Sequence, residues 1–553
     1  MISPLEKIIN KYFNLFLFAG IAANIPALFT EIMDQDSALY ACVAKHIATS
    51  GDWVNLIGYG SDWLDKPHLP FWLTAISFKI FGLKAFAYKL PSFLCWLAGV
   101  YFTYKLALAF YNKSTAQLTV IIFITSLHII LANYDVRAEG YLTTFIAAAI
   151  YYLHKLYKEN TWKHVLTAAC CCAMAVMTKG IFVLMTIAGG FIIHWLLTKQ
   201  WKQFANIKWY ALIAFTLLFI MPELYCLYVQ FDLHPEKTVW GQQHFSGIRF
   251  FFWDSQFGRF FNTGPIKGKG DPSFFFHTTL WAFLPWSIIL VAALFSLFKS
   301  LKKNIRNERV IITGSALISF FVFSISQFQL PHYIVILFPH FSMICADWLL
   351  LRRQEKTLKT LSITAWVIYA VLTAAIILLL MYYRFNDTFI LTASAAILTA
   401  ACIWIYFKNR QASFISTGLC FALLSSVFIQ TFFYRELMHY NAGMQAARWM
   451  NDNKPAGTCV MLDCNNFPFE FYADSYVQRR QGITQKDFTK PDSTIIVFGS
   501  LASLQKTDTV QIQTEILKRF NYFRITKLNA KFINHTTRPA QTERYVLAAC
   551  RLK

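Results

Sequence analysis

Charge is scarce in this sequence. Only 14% of its 553 residues are Asp, Glu, Lys or Arg, where a soluble domain carries about a quarter. That scarcity, with 56% hydrophobic residues and a mean hydropathy of +0.42, excludes an ordinary soluble domain and implies a polytopic α-helical membrane protein. Metal-ligand spacing is missing as well. Eight of the twelve cysteines fall inside apolar runs without paired C-x-x-C motifs, so they read as small packing residues. Cys459, Cys464 and Cys550 lie in the C-terminal part, where one disulfide is open. No Gly-rich phosphate loop and no internal repeat of the transporter kind is evident. No small-residue cleavage site follows "MISPLEKIINKYFNLFLFAGIAANIPALFT", which reads as an uncleaved first span. Acidic residues are fewer than basic ones, giving a formal net charge of +22. In a membrane chain such an excess suits cytoplasmic loops and anionic lipid, so no nucleic-acid partner is expected.

About thirteen spans are expected, near 12–30, 86–110, 117–134, 139–156, 164–178, 181–198, 209–229, 276–298, 310–327, 331–350, 360–382, 389–407 and 412–433. With the N-terminus in the cytoplasm, the cytoplasmic segments hold twenty Lys and Arg, and the short loops opposite hold three. The asymmetry sets the orientation and places the C-terminal part outside. Residues 1–435 thus form the transmembrane domain, with a first outer loop at 31–85 and a long outer loop at 230–275. Within the first, "HLPFWLTAISFKIFG" is too short to span and reads as an interfacial helix. The second is rich in Gly and Pro and reads as mobile. Residues 436–553 read as a soluble α/β domain. "MQAARWMNDN" suits a helix, "GTCVMLD", "STIIVFG" and "YVLAACRL" suit strands, and "QIQTEILKRF" suits a helix.

Ionisable residues at membrane depth point to function by default. Here they converge on one side of the expected membrane. "EIMDQDSALYA" gives Asp34 and Asp36, and "SDWLDKPHLPFW" gives Asp65, Lys66 and His68. "NYDVRAEG" gives Asp135, Arg137 and Glu139; "MTKG" gives Lys179; "SQFGRF" gives Arg259. "FFFHTTLW" gives His277, and "SQFQLPHY" gives Gln329, His332 and Tyr333. Acids beside an acceptor hydroxyl can take its proton. Arg and Lys can neutralise a phosphate. A site for a phosphate with a long apolar tail fits this mixture.

The pattern resembles the polyprenyl-phosphate-sugar-dependent glycosyltransferases of the GT-C class, nearest the aminoarabinose lipid A transferase and protein mannosyltransferase-like group. "DSALYA" matches that family's Asp-Glu-x-x-Tyr-Ala motif, with Ser37 in place of Glu. "SGDW" at Ser50–Trp53 matches its next turn. Asp65-Lys66-Pro67-His68-Leu69 stands where the family has Glu-Lys-Pro-Pro-Leu. "MTKG", Arg259-Phe260, Pro285-Trp286 and "SQFQLPHYIVILFP" follow in order. The resemblance implies a GT-C fold, a catalytic role for Asp36, and donor-phosphate binding by Lys66 and Arg259. It implies a second acid, Glu139 by spacing, with Asp135 as competitor. Asp65, Asp135, Arg137, Lys179, His277, His332 and Tyr333 are supporting candidates. The basic positions of the family's last motif are Gln327 and Gln329 here. No cofactor is assigned, and a divalent metal held by Asp65 with one or more histidines is conceivable. His68 reads as neutral variation, and His277 as a structural histidine.

The implied activity is an inverting transfer of a sugar from a polyprenyl-phosphate donor to a glycolipid or protein acceptor. It would take place at the outer face of a bacterial-type inner membrane, with the C-terminal domain periplasmic. A transporter or flippase for lipid-linked sugar or sugar-phosphate is the alternative. It would carry polar residues on into the cytoplasmic half of the spans, which this sequence does not do.

Overall fold

The computed structural model describes residues 4–33, 35–304, 307–351, 355–385, 388–408, 413–488, 490, 492–505 and 511–553. Asp34 lies outside the described residues. Six helices among them are long and apolar enough to cross a membrane: Leu5–Phe29, Ala85–Phe110, Pro331–Leu351, Lys359–Tyr383, Phe389–Lys408 and Ser413–Tyr440. Two bent pairs raise the number to eight. The remaining expected spans coincide with helices that are shorter or more charged, such as Val183–Thr198 and Arg309–Ile325, or Ala138–Glu159 and Trp162–Lys179. Length and composition alone do not assign those as crossings. Lys359–Tyr383 and Phe389–Lys408 bury only 11% of their apolar windows. They expose Val367, Val371 and Ile397 on their surfaces, as helices facing lipid do. The chain is a helical membrane protein.

The bends have local causes. Lys113–Thr125 and Leu127–Tyr134 meet at 53° across Ser126, whose backbone is extended. Side chains take up the carbonyls this frees: Asn24 Nδ2 donates to Ile124 O at 3.2 Å and Ser126 Oγ to Ile122 O at 2.7 Å. That is how a broken helix survives without water. Ile207–Phe219 and Met221–Asp232 meet at 42° just before Pro222, which starts the second helix. Close helix approaches rest on small residues. A Cβ on Gly190 would collide with Ile311 O and Ser315 Oγ of the facing helix, Arg309–Ile325.

The first outer loop holds the helix Gln35–Ser50 and a two-stranded hairpin, Ile57–Gly58 with Ser61–Asp62. Next come the Asp-Lys-Pro turn and the helix Leu69–Phe81, at the position of the expected interfacial segment. The long outer loop is less free than its composition suggests. Residues 247–261 are helical, and 268–271 are tied to the 326–329 segment. There Asp271 N–H donates to Gln329 Oε1 at 2.9 Å. Gly268 and Gly270 approach that segment too closely for any side chain.

Residues 442–553 carry a five-stranded mixed sheet. Its order is Val477–Arg480, Thr458–Leu462, Ile495–Ser500, Glu543–Leu552, Ile512–Tyr522. The first three strands are parallel and the last two join antiparallel. Inward positions alternate as period-two pairing requires. Cys459, Met461, Ile496, Phe498 and Leu547 pack under the helix Ala442–Asn453, while Val460, Leu462, Val497, Val546 and Ala548 pack on the opposite face. "QIQTEILKRF" is a strand, not the expected helix. It pairs along Glu543–Leu552 with a bulge between Ile516 and Lys518, and that pairing overrides a helix-compatible composition. All twelve cysteines are free, so no disulfide forms among Cys459, Cys464 and Cys550.

This sheet unit sits on the first outer loop. Tyr472 OH accepts from Ile32 N–H at 2.8 Å and donates to Glu31 at 2.6 Å. Arg448 pairs with the same Glu31. Lys45 donates to the carbonyls of Glu470, Phe471 and Ala473 at 2.7–3.0 Å. Asn441 Nδ2 donates to Met33 O at 3.1 Å. The backbone just before Asp36 is therefore gripped from the far end of the chain.

Candidate active site

Most of the charged residues of interest stand at or near helix ends. Asp36 is in the first turn of Gln35–Ser50, and Glu139 in the first turn of Ala138–Glu159. Lys179 closes Trp162–Lys179. His332 and Tyr333 open the segment Pro331–Leu337. Arg259 follows the helical stretch Phe250–Gly258. Pro67 and Pro70 keep Asp65 and Lys66 out of helix, so both sit in the turn ahead of Leu69. Folding brings these ends into two linked groups.

The first group surrounds Asp65. One carboxylate oxygen pairs with Lys66 and the other with Arg259. Burial alone would raise the Asp65 pKa. The Lys66 ammonium and the Arg259 guanidinium outweigh it and hold the carboxyl well below its ordinary value. Lys66 and Arg259 are 13% and 12% exposed. Arg259 lies 5.5 Å over the Phe328 ring, and its Nε–H is buried without a protein partner. All three residues line a cleft of roughly 1030 Å³ that opens to solvent. Lys179 and Tyr333 line it too, and its remaining wall is largely apolar, with Leu142, Val183, Phe250, Phe260 and Ile336. Three cations thus face one cleft with a single acid between two of them. A buried guanidinium donor with no partner calls for an anion.

The second group surrounds Arg137. It holds Asp36 at 2.8 Å and Asp135 at 2.9 Å. Ser37, the departure from the family's Glu, donates to Asp135 and to Val136 O. His332 bridges the groups, with Nδ1 3.5 Å from Arg137 and Nε2 3.8 Å from Glu139. Glu139 is 3% exposed and pairs with Lys179, whose Nζ lies 3.6 Å above the Tyr333 ring. Asp36 is not among the residues lining the cleft. It connects to the cleft through Arg137, His332, Glu139 and Lys179, and it is 56% exposed.

The helical stretch 250–258 ties the groups together. Gln256 donates to Lys179 O at 3.4 Å and accepts from Phe182 N–H at 3.3 Å. It packs so tightly on Gly180 that only glycine fits. Gly180 has φ +106°, in the left-handed region. The Thr-Lys-Gly turn and Arg259 are therefore set by one element.

His277 is not brought in. It is exposed, with its ring against Phe274 at 5.3 Å. A metal at Asp65 does not fit either, because both carboxylate oxygens are engaged by cations. Among the described residues no group of three His, Cys, Asp or Glu could hold one. Sequence reasoning passed over Glu223, which also lines the cleft and is fully buried. An acid inside the apolar run "LFIMPELYCLY" was the available signal.

Residues 65–226 match the family model described as dolichyl-phosphate-mannose-protein mannosyltransferase. An uncharacterised protein of Aquifex aeolicus is 27% identical over 65% of this chain and 67% of its own length. The undecaprenyl phosphate-alpha-4-amino-4-deoxy-L-arabinose arabinosyl transferase of Enterobacter sp. is 22% identical over 65% of this chain and 62% of its own length. The chain thus matches about two thirds of these relatives. The crystal structure of ArnT from Cupriavidus metallidurans bound to undecaprenyl phosphate superposes with a TM-score of 0.74. It is 15% identical and covers 97% of this chain and 98% of its own. The fold is that of the GT-C class. The expected resemblance to GT-C glycosyltransferases of the ArnT and protein-mannosyltransferase type is borne out.

Proposed function

We propose that this chain is an inverting glycosyltransferase that takes a sugar from a polyprenyl-phosphate donor and gives it to a glycolipid, lipid A-like, or protein acceptor. The observation that carries this is the cleft in which Lys66, Arg259 and Lys179 meet against an apolar wall. The cations suit the donor phosphate and the wall suits its prenyl tail. The bound undecaprenyl phosphate named for the Cupriavidus structure supports the donor class.

In this mechanism the acceptor oxygen attacks the anomeric carbon while the bond from that carbon to the phosphate oxygen breaks. The lipid phosphate leaves with the bonding pair, and Lys66 and Arg259 stabilise its charge. Asp36, accessible and oriented by Arg137, takes the acceptor proton. A single displacement inverts the carbon, and a phosphate leaving group needs no general acid. Glu139 serves as the partner that holds Lys179 and His332, since its carboxylate is buried and engaged. The topology that goes with this reading has thirteen spans, a cytoplasmic N-terminus and residues 436–553 in the periplasm, in a bacterial-type inner membrane.

The test is donor-dependent sugar transfer by the purified protein. Asp36→Asn and Lys66→Ala are each expected to abolish most of the activity. Near-normal transfer by both would refute the assigned roles. Translocation of labelled lipid in vesicles without sugar transfer would instead favour a flippase. Mass spectrometry of glycolipids and glycoproteins from a deletion strain would identify the acceptor.

A further inference from the structure

The turn that carries Asp65 and Lys66 has little secondary structure of its own. Something must hold it against the cleft, and the bent helix pair supplies the hold. Glu223, in the first turn after the bend, is fully buried. Its Oε2 accepts from the backbone N–H of His68 at 2.9 Å, and its Oε1 lies 3.0 Å from His68 Nδ1. The other imidazole nitrogen, Nε2, lies 2.9 Å from Val54 O. A carboxylate and a carbonyl both accept, so the ring satisfies both only with a proton on each nitrogen. The pair is then an imidazolium and a carboxylate, closed off from solvent on both sides.

Two turns further along the same helix, Gln230 repeats the grip. Its Oε1 accepts from Leu56 N–H at 3.0 Å, and its Nε2 donates to Leu56 O and to Asp62 at 2.9 Å. The segment Met221–Asp232 thus holds the loop at both ends of the hairpin through Gln230 and again at His68 through Glu223. Between the hairpin and the helix Leu69–Phe81, residues 64–67 line the cleft, with Asp65 and Lys66 as their charged members, and Glu223 itself lines the wall beside them.

We propose that Glu223 and His68 are positioning residues for donor binding: they clamp the Asp65–Lys66–Pro67 turn so that Lys66 meets the donor phosphate. The proposal rests on the reading of Lys66 as a phosphate ligand. His68 is then no neutral variation. A proline there would remove both the ring and the backbone N–H that Glu223 needs.

The experiment is equilibrium binding of radiolabelled undecaprenyl phosphate to the purified full chain in detergent. The variants are Lys66→Ala, Glu223→Gln, His68→Ala, His68→Asn and the double Lys66→Ala/Glu223→Gln. Charge-assisted hydrogen bonds of this kind set the scale at about tenfold in affinity. Lys66→Ala, Glu223→Gln and His68→Ala should each weaken binding by about that factor. His68→Asn restores an uncharged side-chain donor that His68→Ala lacks, so it should bind more tightly than His68→Ala and less tightly than wild type. The double variant should bind no worse than Lys66→Ala, because the clamp acts only through Lys66. Wild-type binding by Glu223→Gln and His68→Ala would overturn the proposal, as would losses that multiply in the double variant. If Glu223→Gln fails to fold, the His68→Ala and His68→Asn pair decides. Equal binding by wild type and Lys66→Ala would instead remove the donor reading itself, and the proposal with it.

Discussion

Replacing Lys179 with Met separates pairing from packing at the centre of the site. The stem keeps its volume, but Glu139 loses its close cationic partner. At 3% exposure Glu139 cannot turn to water, and His332 stands 3.8 Å off. Removing one member of a buried ion pair costs about 3–5 kcal/mol. Lys179 is itself 20% exposed, which puts the expectation at the lower end, about 3 kcal/mol. Glu139→Gln alone should cost less, about 1–2 kcal/mol, because the ammonium keeps the Tyr333 ring at 3.6 Å and some access to water. The double variant, with both charges gone, should be no less stable than Lys179→Met and should recover about 2 kcal/mol of that loss. The assay is SDS-driven unfolding of the purified protein, followed by helical circular dichroism. A Lys179→Met loss below about 1 kcal/mol, or additive losses in the double variant, would refute the claim that this pair is buried and coupled.

Other outcomes follow from the same geometry. Asp36→Asn should abolish transfer while leaving undecaprenyl phosphate affinity within about twofold, since Asp36 lies outside the cleft wall; a matching loss of affinity would count against a purely catalytic role. His68 has a raised pKa. Burial would lower it, but Glu223, the Val54 carbonyl and Asp52 outweigh that. Its contribution to stability is therefore full below the ordinary 6.5 and fades as pH rises through the higher folded-state value. Melting temperature should fall across that window in wild type but not in His68→Asn; identical profiles would contradict the ion pair. Gly190→Ala should destabilise the protein by about 1–3 kcal/mol, because the new Cβ meets the Ile311 backbone carbonyl as well as Ser315 Oγ, and the carbonyl cannot swing aside. A neutral Gly190→Ala in the SDS assay would mean that the two helices can part without cost.

The helical membrane fold was legible from the apolar runs, and the site residues from where charge broke them. What single residues could not reveal was partnership. Nothing local in "NYDVRAEG" says that Arg137, which holds its neighbour Asp135, also holds Asp36, or that Glu139 belongs to Lys179, because those two contacts close over 101 and 40 residues. His68 looked idle for the same reason: its partner, Glu223, lies 155 positions away. "QIQTEILKRF" misled because an edge strand with a wet face resembles a polar helix until its neighbour is known. His277 stood both as a supporting candidate and as a structural histidine, because an imidazole among phenylalanines carries no sign of which way it faces.

The grip of Tyr472, Arg448 and Asn441 on residues 31–33 has an implication for how the molecule comes into being. The proposed acid comes early in the chain, yet the backbone that aims it is braced by side chains more than four hundred positions later. On this account a ribosome part-way through the message has produced a site whose pieces exist but whose aim is unset. Transfer would begin only once Asn441, Arg448 and Tyr472 have been added, and a chain cut before them would be silent even with every proposed reacting group intact.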